Sequence, residues 1–241
     1  MNETLLEVRN IRKSFFRKEA LNNVSLSVKK GEVFGLLGPN GAGKTTTMRT
    51  IMKLWQVASG SMTLNGASLL DKNTREVARM GVSYIPENMG IFATMSVEEN
   101  MKLAAVSGPI DEQRLQWLFE LFPAIKKFWY WPAGNLSGGQ KQMLAIARAV
   151  IEPCRLLLVD EPSKGLAPSI IESLINAFDE LKALNTTILM VEQNFNMARR
   201  LGDKVLVMDD GRIAHQDDMA DFAVDEEKQQ QFLGLNLGAH A

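Results

Sequence analysis

One stretch, Gly38-Pro39-Asn40-Gly41-Ala42-Gly43-Lys44-Thr45-Thr46, constrains this chain more than any other. It has the spacing G-x-x-x-x-G-K-[ST] of a phosphate-binding loop. The apolar run Val33-Phe34-Gly35-Leu36-Leu37 precedes it and reads as a buried strand; residues 48–54 follow and read as helix. Strand, glycine-rich loop and helix are the context the motif requires. The glycines let the backbone close around phosphate oxygens and reach positive φ. Successive N–H groups then point inward at a helix N-terminus, whose partial positive charge favours an anion. Lys44 brings an ammonium to the outer phosphates, and the Thr45 hydroxyl suits a magnesium ion. A purely structural glycine-rich turn is the competing explanation, and the flanking strand and helix count against it.

The chain has 241 residues, of which 46% are hydrophobic, enough for a substantial core in one domain with a subdomain. A formal net charge of −1 argues against a dedicated nucleic-acid binder. Cys154 is the single cysteine, so no internal disulfide forms and a reducing compartment is expected. Its better explanation is a small buried residue near a strand. The start, Met1-Asn2-Glu3-Thr4-Leu5-Leu6-Glu7, has neither a basic region nor an apolar core, so no secretory leader is expected. No apolar run approaches the roughly 20 residues of a membrane span, so a membrane role would come through a partner.

Residues 5–8 and 24–28 read as strands, followed by a turn at Lys29-Lys30-Gly31. Lys13-Ser14-Phe15-Phe16 lies between them and offers an aromatic to stack on a base. Core packing explains Phe16 equally well and Phe15 less well. Residues 61–65 read as a strand, 74–80 as a helix stopped by Gly81, and 82–85 as a strand ended by Pro86. Ser96-Val97-Glu98-Glu99 is a capping box opening a helix through Ala105. A second helix after Pro109 carries Leu115, Leu118, Phe119 and Phe122 on one face. Residues 88–133 thus read as a small helical insert in an α/β core formed by 1–87 and 134–241. The insert ends in Phe128-Trp129-Tyr130-Trp131-Pro132, which packs it against the core or forms a partner surface; packing is the better supported. Residues 156–159 read as a buried strand, Pro168 opens a helix to 183, and 187–191 form another buried strand. Strands at 204–208 and 212–215 flank the hairpin turn Asp209-Asp210-Gly211. This alternation implies a mainly parallel sheet with helices on both sides. From about Asp217 one or two amphipathic helices and a loose tail are expected.

Asp160-Glu161-Pro162 ends the strand at 156–159. A buried charge must be paired or metal-bound, so carboxylates there rarely serve packing. Beside a phosphate loop, Asp160 can hold magnesium opposite Thr45. Glu161 is then placed to orient the attacking water or accept its proton. Asn135-Leu136-Ser137-Gly138-Gly139-Gln140 opens the helix at 141–151 and makes a second anion site, although Ser-Gly-Gly alone is also an ordinary helix cap.

Leu-Ser-Gly-Gly-Gln about a hundred residues after the phosphate loop and shortly before Asp-Glu resembles the signature arrangement of ATP-binding-cassette (ABC) ATPases. The resemblance covers essentially the whole chain. It implies a phosphate-loop NTPase core with a mainly parallel sheet, an antiparallel β part at the N-terminus and a helical subdomain. It implies ATP and Mg2+, and a head-to-tail dimer with a second cassette, either a paralogue or this chain itself. Each ATP would lie between the phosphate loop of one chain and Ser137, Gly138, Gly139 and Gln140 of the other. Phe15 matches the aromatic that stacks on adenine, and Pro86-Glu87 the loop that senses γ-phosphate and magnesium. The segment from Ser163 to Pro168 matches the dimer-contact loop, and Gln193 the switch residue. Lys44, Glu161 and Gln193 become the candidate catalytic groups, and Thr45, Glu87 and Asp160 the candidate metal ligands.

Pro86-Glu87, the run Met95 through Asn100, Asp160 to Pro168, Val191-Glu192-Gln193-Asn194 and Phe232-Leu233-Gly234 further resemble the ATPases of bacterial branched-chain and hydrophobic amino-acid importers. Such importers add two membrane permeases and, indirectly, a periplasmic or extracellular solute-binding protein. They place the cassette at the cytoplasmic face of the inner membrane, with no nucleic-acid partner. Related importers carry urea, short amides or aromatic acids. The chain departs from the common cassette pattern in Glu87 for glutamine, Gln193 for histidine and Ala167 for aspartate. Within the subfamily, Asn88-Met89-Gly90 replaces a frequent Gly-Arg-Arg, and Lys164 stands at an often apolar position. Glutamine can donate a hydrogen bond to γ-phosphate but cannot carry a proton, so slow hydrolysis by the isolated chain is expected. Two other readings stand beside the importer: a soluble cassette of repair or translation, and a regulatory cassette that binds ATP without splitting it.

Overall fold

The computed structural model describes residues 3–234. In chain order its strands are β1 (Thr4–Phe15), β2 (Lys18–Lys29), β3 (Val33–Leu37), β4 (Ser59–Leu64), β5 (Ala67–Ser68), β6 (Val82–Ile85), β7 (Leu156–Asp160), β8 (Thr187–Val191), β9 (Lys204–Asp209) and β10 (Arg212–Asp218). They form two sheets. One is antiparallel, in the order β2-β1-β4-β5. The other has the order β10-β9-β3-β8-β7-β6 and is parallel except for the β9–β10 hairpin.

Burial follows the sequence pattern. Along β2, Leu21, Val24, Leu26 and Val28 are buried while Ser25, Ser27 and Lys29 face out. Such alternation belongs to an antiparallel sheet with one wet face. By contrast, β3, β7 and β8 are buried along their whole lengths, as parallel strands covered on both faces must be. Leu156, Leu158, Leu189 and Val191 share a core with Leu6, Val8 and Ile11 of the antiparallel sheet and with Met48 and Ile51. The intervening Leu157, Val159, Ile188 and Met190 pack instead against Leu144, Ile146, Leu174 and Phe178. Each side chain of this size contributes about 1.5–3 kcal/mol when fully buried. Two packed faces therefore hold the central strands rigid, and all their carboxyl ends emerge at one edge. That edge carries Gly38 after β3, Glu87 after β6, Glu161 after β7 and Gln193 after β8.

Between β6 and the helix Gly138–Ala149 the chain is helical, in the segments Val97–Ala104, Glu112–Leu121 and Pro123–Lys127. The anticipated capping box forms, with Glu99 N–H donating to Ser96 Oγ at 3.1 Å and Ser96 N–H donating to Glu99 Oε2 at 2.7 Å. Of the anticipated apolar face, Leu118 and Phe122 are fully buried, and Leu115 and Phe119 pack at its margin. Asn100, also fully buried, donates to Phe92 O and Ser96 O and accepts from Phe92 N–H, each at 2.9 Å. It fastens the start of this helical layer to the loop before it. The aromatic run divides: Phe128 and Trp129 pack on the core, whereas Tyr130 and Trp131 are exposed.

Several expectations shift. Phe16 is not a core residue; it is fully exposed at the β1–β2 turn with φ 52°. Both strands of that hairpin are longer than the apolar pattern suggested, because backbone pairing continues through the polar residues up to Phe15 and Lys18. The helix after the phosphate loop starts at Lys44 rather than 48 and stops at Ile51, before Lys53 turns to φ 57°. Cys154 is half-buried at the edge of the core, and burial raises its thiol pKa. The last helices are Met219–Phe222 and Glu226–Leu233. The loose tail expected beyond them lies outside the described residues.

The helix Pro168–Ala183 begins without a side-chain cap: Ala167 occupies the N-cap in extended geometry, φ −69° and ψ 150°, and offers no acceptor. Ala167→Asp is expected to raise stability by about 1 kcal/mol. For a chain of this size that is a rise in Tm of roughly 2–4 °C, readable by calorimetry; an unchanged or lower Tm would count against the capping account.

Candidate active site

The phosphate loop joins β3 to the helix Lys44–Ile51 and takes the backbone conformation its glycines permit. Gly38, Gly41 and Gly43 have φ of 138°, 84° and 104°. A Cβ on Gly38 would lie 2.1 Å from Met208 O, so this position admits no side chain. Pro39, Asn40 and Gly41 form the exposed tip, and Ala42 and Lys44 are buried beneath it. The Lys44 ammonium donates to Gly38 O at 2.7 Å and Pro39 O at 2.9 Å, folding back across the loop. Burial lowers its pKa, and the Glu161 and Asp160 charges pull it back upward.

Asp160 ends β7 almost completely buried. Thr45 Oγ1 donates to its Oδ1 at 3.0 Å and Tyr84 OH donates to its Oδ2 at 3.2 Å. Burial pushes the Asp160 carboxyl upward, and these two hydrogen bonds oppose that shift. The Tyr84 hydroxyl is in turn pushed up to about 12, by burial first and then by the Asp160 charge, so it stays a donor. Thr45 and Asp160 together present a hydroxyl and a carboxylate, hard oxygen donors beside a phosphate loop. That set fits magnesium, which takes one or two protein ligands and completes its shell with phosphate and water. No group of three or more His, Cys, Asp or Glu side chains able to hold a metal ion occurs among the described residues. Glu87, the third residue considered for the metal, directs Oε1 to Lys164 Nζ at 2.5 Å.

Glu161 follows at φ 51°, an uncommon conformation for a non-glycine residue, with its side chain 9% exposed. Its N–H donates to Val191 O at 2.9 Å, fixing the backbone to β8. Its Oε1 accepts from Gln193 Nε2 at 2.6 Å, and Gln193 Nε2 also donates to Asn40 Oδ1 at 2.8 Å. Its Oε2 faces Lys164 Nζ at 3.4 Å. The phosphate-loop tip, the acidic strand end and the residue after β8 are thereby one hydrogen-bonded group.

Sequence reading gave Glu192 no role of its own. It is 1% exposed, and its carboxylate accepts from Ser163 N–H at 2.9 Å, Ser163 Oγ–H at 2.8 Å, and the N–H groups of Gln193 and Asn194 at 3.0 Å each. Burial raises its pKa against the pull of these donors. Trp55 was also missed; it meets Phe15 edge-on at 4.8 Å between ring centroids and leaves Phe15 half-buried. No spacing rule connects either pair, although an unpaired acid directly after a fully apolar strand is a usable signal for Glu192.

The residues 137–140 lie apart from this group, and no hydrogen bond among the described residues joins them to the phosphate loop. Ser137 caps the helix Gly138–Ala149 in a reciprocal box with Gln140, at 3.3 and 2.9 Å. Ser137 and Gly138 are exposed. Gly139 is buried, and a Cβ there would lie 2.7 Å from Ile170 Cγ2. That glycine thus has a packing reason of its own within the chain. A cleft of about 580 Å³ opens between the helix Lys44–Ile51 with the segment after it, the end of β6, and the helices Val97–Ala104 and Gly138–Ala149, lined by Arg49, Trp55, Tyr84, Met89 and Arg148 among others.

A phosphate loop on a parallel sheet, facing a buried carboxylate at the end of a strand two places away with a second carboxylate beside it, defines a nucleoside-triphosphate hydrolase. The family model described as "ABC transporter" matches residues 21–164. The chain is 38% identical over 218 residues to the high-affinity branched-chain amino acid transport ATP-binding protein BraG of Pseudomonas aeruginosa, covering 90% of this chain and 94% of that protein. It is 35% identical over 197 residues to the probable branched-chain amino acid transport ATP-binding protein LivF of Archaeoglobus fulgidus, covering 80% and 84%. A crystal structure of an ATP-binding cassette of an ABC transporter in its ADP conformation superposes with a TM-score of 0.79 at 27% identity, over 96% and 95% of the two chains. This chain belongs to the ABC transporter family. It is an ATPase cassette, and its nucleotide chemistry is coupled to transport.

Proposed function

We propose that the chain is the energy-coupling ATPase of a bacterial importer for branched-chain or other hydrophobic amino acids. The observation that carries the site assignment is the 3.0 Å contact of Thr45 with Asp160, next to the 2.6 Å contact of Glu161 with Gln193. These join the phosphate loop to two carboxylates of different burial. The substrate class is supported by the two relatives described above, whose names give branched-chain amino acid transport.

In this reading the loop N–H groups and Lys44 bind the phosphates, and the half-buried face of Phe15 receives adenine beside Trp55. Lys44 leaves the carbonyls of Gly38 and Pro39 for the stronger acceptor, a phosphate oxygen. Thr45 and Asp160 would hold magnesium, which when bound would offset the negative charge of the phosphates. Tyr84 keeps the Asp160 carboxylate aligned. Glu161 orients the attacking water and takes its proton, and Gln193 holds Glu161 against the loop tip. Ser137 and Gly138 are exposed at the start of a rigid helix, which suits contact of the segment 137–140 with nucleotide held by a second cassette, a paralogue or a second copy. Residues 1–241 then form one cassette domain, with 88–133 as its helical subdomain between the core parts 1–87 and 134–241.

No helix among the described residues is long and apolar enough to cross a membrane. Attachment to the cytoplasmic face of the membrane would come through two permeases. The cleft beside Met89 and Arg148 is suited to a permease segment, because it lies where the helical layer meets the core beside β6 and mixes apolar lining with two arginines. Its rim is set by Met89 at φ 63° and by Arg148 Nη1 donating to Gly90 O at 2.6 Å. A solute-binding protein would deliver the substrate.

Copurification from gently extracted membranes of the native host tests this reading. Recovery of two permeases and a second cassette is expected. The solute-binding protein of that transporter is expected to bind leucine, isoleucine or valine. Binding of urea, an amide or an aromatic acid instead would replace the substrate class, and recovery of ribosomes or DNA factors would overturn the importer.

A further inference from the structure

Lys164 carries a charge that the chemistry above does not use. It lies in the loop after β7, in reach of two carboxylates from neighbouring strand ends. Its ammonium is 2.5 Å from Glu87 Oε1 and 3.4 Å from Glu161 Oε2. Its side chain is 56% exposed, that of Glu87 41% and that of Glu161 9%. An ion pair as exposed as Lys164–Glu87 adds little stability. Its consequence is positional: a long, flexible cation is parked over the inner carboxylate rather than in solvent. Gln193 grips Oε1 of Glu161 at 2.6 Å and Lys164 faces Oε2, so the inner carboxylate is held from two sides. Without Lys164, only Gln193 would fix its rotamer. Lys44 does not substitute: without nucleotide it is bonded to Gly38 O and Pro39 O, and with nucleotide a phosphate oxygen takes it up. The two carboxylates would also face one phosphate site with no cation between them.

We infer that Lys164 is a positioning residue for ATP hydrolysis: anchored by Glu87, it holds the Glu161 carboxylate from the side opposite Gln193. The inference rests on the reading of Glu161 as the group that takes the proton from water. It gives Glu87 a role distinct from ligating metal, as the anchor of a three-membered chain Glu87–Lys164–Glu161.

The test compares Lys164→Met, Lys164→Arg, Glu87→Gln and the Lys164→Met/Glu87→Gln pair in the full chain. Methionine keeps most of the stem and removes the charge. Steady-state phosphate release gives kcat and KM, and titration with a fluorescent ATP analogue gives Kd. Lys164→Met is expected to lower kcat about five- to tenfold, the effect of one charge-assisted contact reduced by solvent. KM and Kd are expected to stay within about twofold, because the phosphate loop holds the nucleotide. Lys164→Arg is expected to restore most of the rate. Glu87→Gln is expected to slow turnover too, and the double variant to be no slower than Lys164→Met, since both changes break one link. An unaltered kcat in Lys164→Met overturns the inference, as does an equal loss with arginine, a loss confined to KM, or two losses that multiply. Should Lys164→Met fail to fold in a thermal melt, Glu87→Gln decides: an unaltered kcat there overturns the inference. Glu161→Gln serves as control. If that variant keeps its rate, the assignment of Glu161 is wrong; if it loses its rate while Lys164→Met keeps it, only the positioning role is wrong.

Discussion

Replacing Glu161 by glutamine is expected to lower ATP turnover by ~10²-fold or more and to leave nucleotide affinity within about twofold. The side chain is the more accessible of the two acids at the end of β7, and it is held without being saturated. Its Oε1 has Gln193, and its Oε2 has the ammonium of Lys164 at the longer distance of 3.4 Å. Asp160 by contrast has both oxygens bonded, to Thr45 and Tyr84. The positive φ of Glu161 costs on the order of 1–3 kcal/mol, and the chain accepts that cost at the one residue that must turn back toward the phosphate loop. Glutamine preserves shape and the Oε1 contact but cannot receive the proton of an attacking water. Phosphate release in the steady state and equilibrium binding of labelled ATP with magnesium separate the two effects. A turnover within a few-fold of the parent would move the proton acceptor to another group and leave the phosphate loop assignment standing.

The parts of this site that spacing encodes were legible. A loop whose glycines need positive φ must be local in sequence, and so must a capping box or an acidic pair after an apolar strand. Gly38, Lys44, Ser137 and Asp160 therefore stood out before any fold was known. The alternation in β2 and the uniform burial of β3, β7 and β8 likewise follow from which faces are covered, which the apolar pattern records. What stayed hidden are contacts made by the sheet order. Strands β6 and β7 are neighbours, yet the segments Pro86-Glu87 and Glu161–Lys164 are far apart in the chain. Nothing in either segment says that Lys164 reaches Glu87 or that Tyr84 reaches Asp160. The same holds for Trp55 against Phe15, where a residue after one helix covers an aromatic from the first hairpin. For Phe16 the sequence left core packing and base stacking equally open, and the structure excludes the first: a residue at a tight turn with φ 52° has its direction set by the backbone, which here points it into solvent.

Replacing Glu192 by alanine is expected to destabilise the chain by about 3 kcal/mol or more, and to slow turnover by at least tenfold in whatever fraction stays folded. Four donors converge on this carboxylate, and three of them are backbone N–H groups that cannot turn away. Burial makes the charge itself costly, and that cost taken alone would make its removal a gain. The magnitudes decide otherwise: a donor left buried without an acceptor costs about 1–3 kcal/mol, and alanine strands several at once. For a chain of this size the loss corresponds to a fall in Tm of roughly 6–12 °C. Glutamine is expected to fall between the two, since it keeps one acceptor oxygen but turns an amide donor toward one group of existing donors. The rate effect comes from position. Ser163 sits two residues after Glu161 and Gln193 is the next residue after Glu192, so one buried carboxylate ties the loop that carries Glu161 to the side chain that grips it. Thermal unfolding and single-turnover hydrolysis read the two consequences independently. A Glu192→Ala variant that melts within a degree or two of the parent and turns over at the parent rate would mean that the loop after β7 and the end of β8 are held together by packing alone.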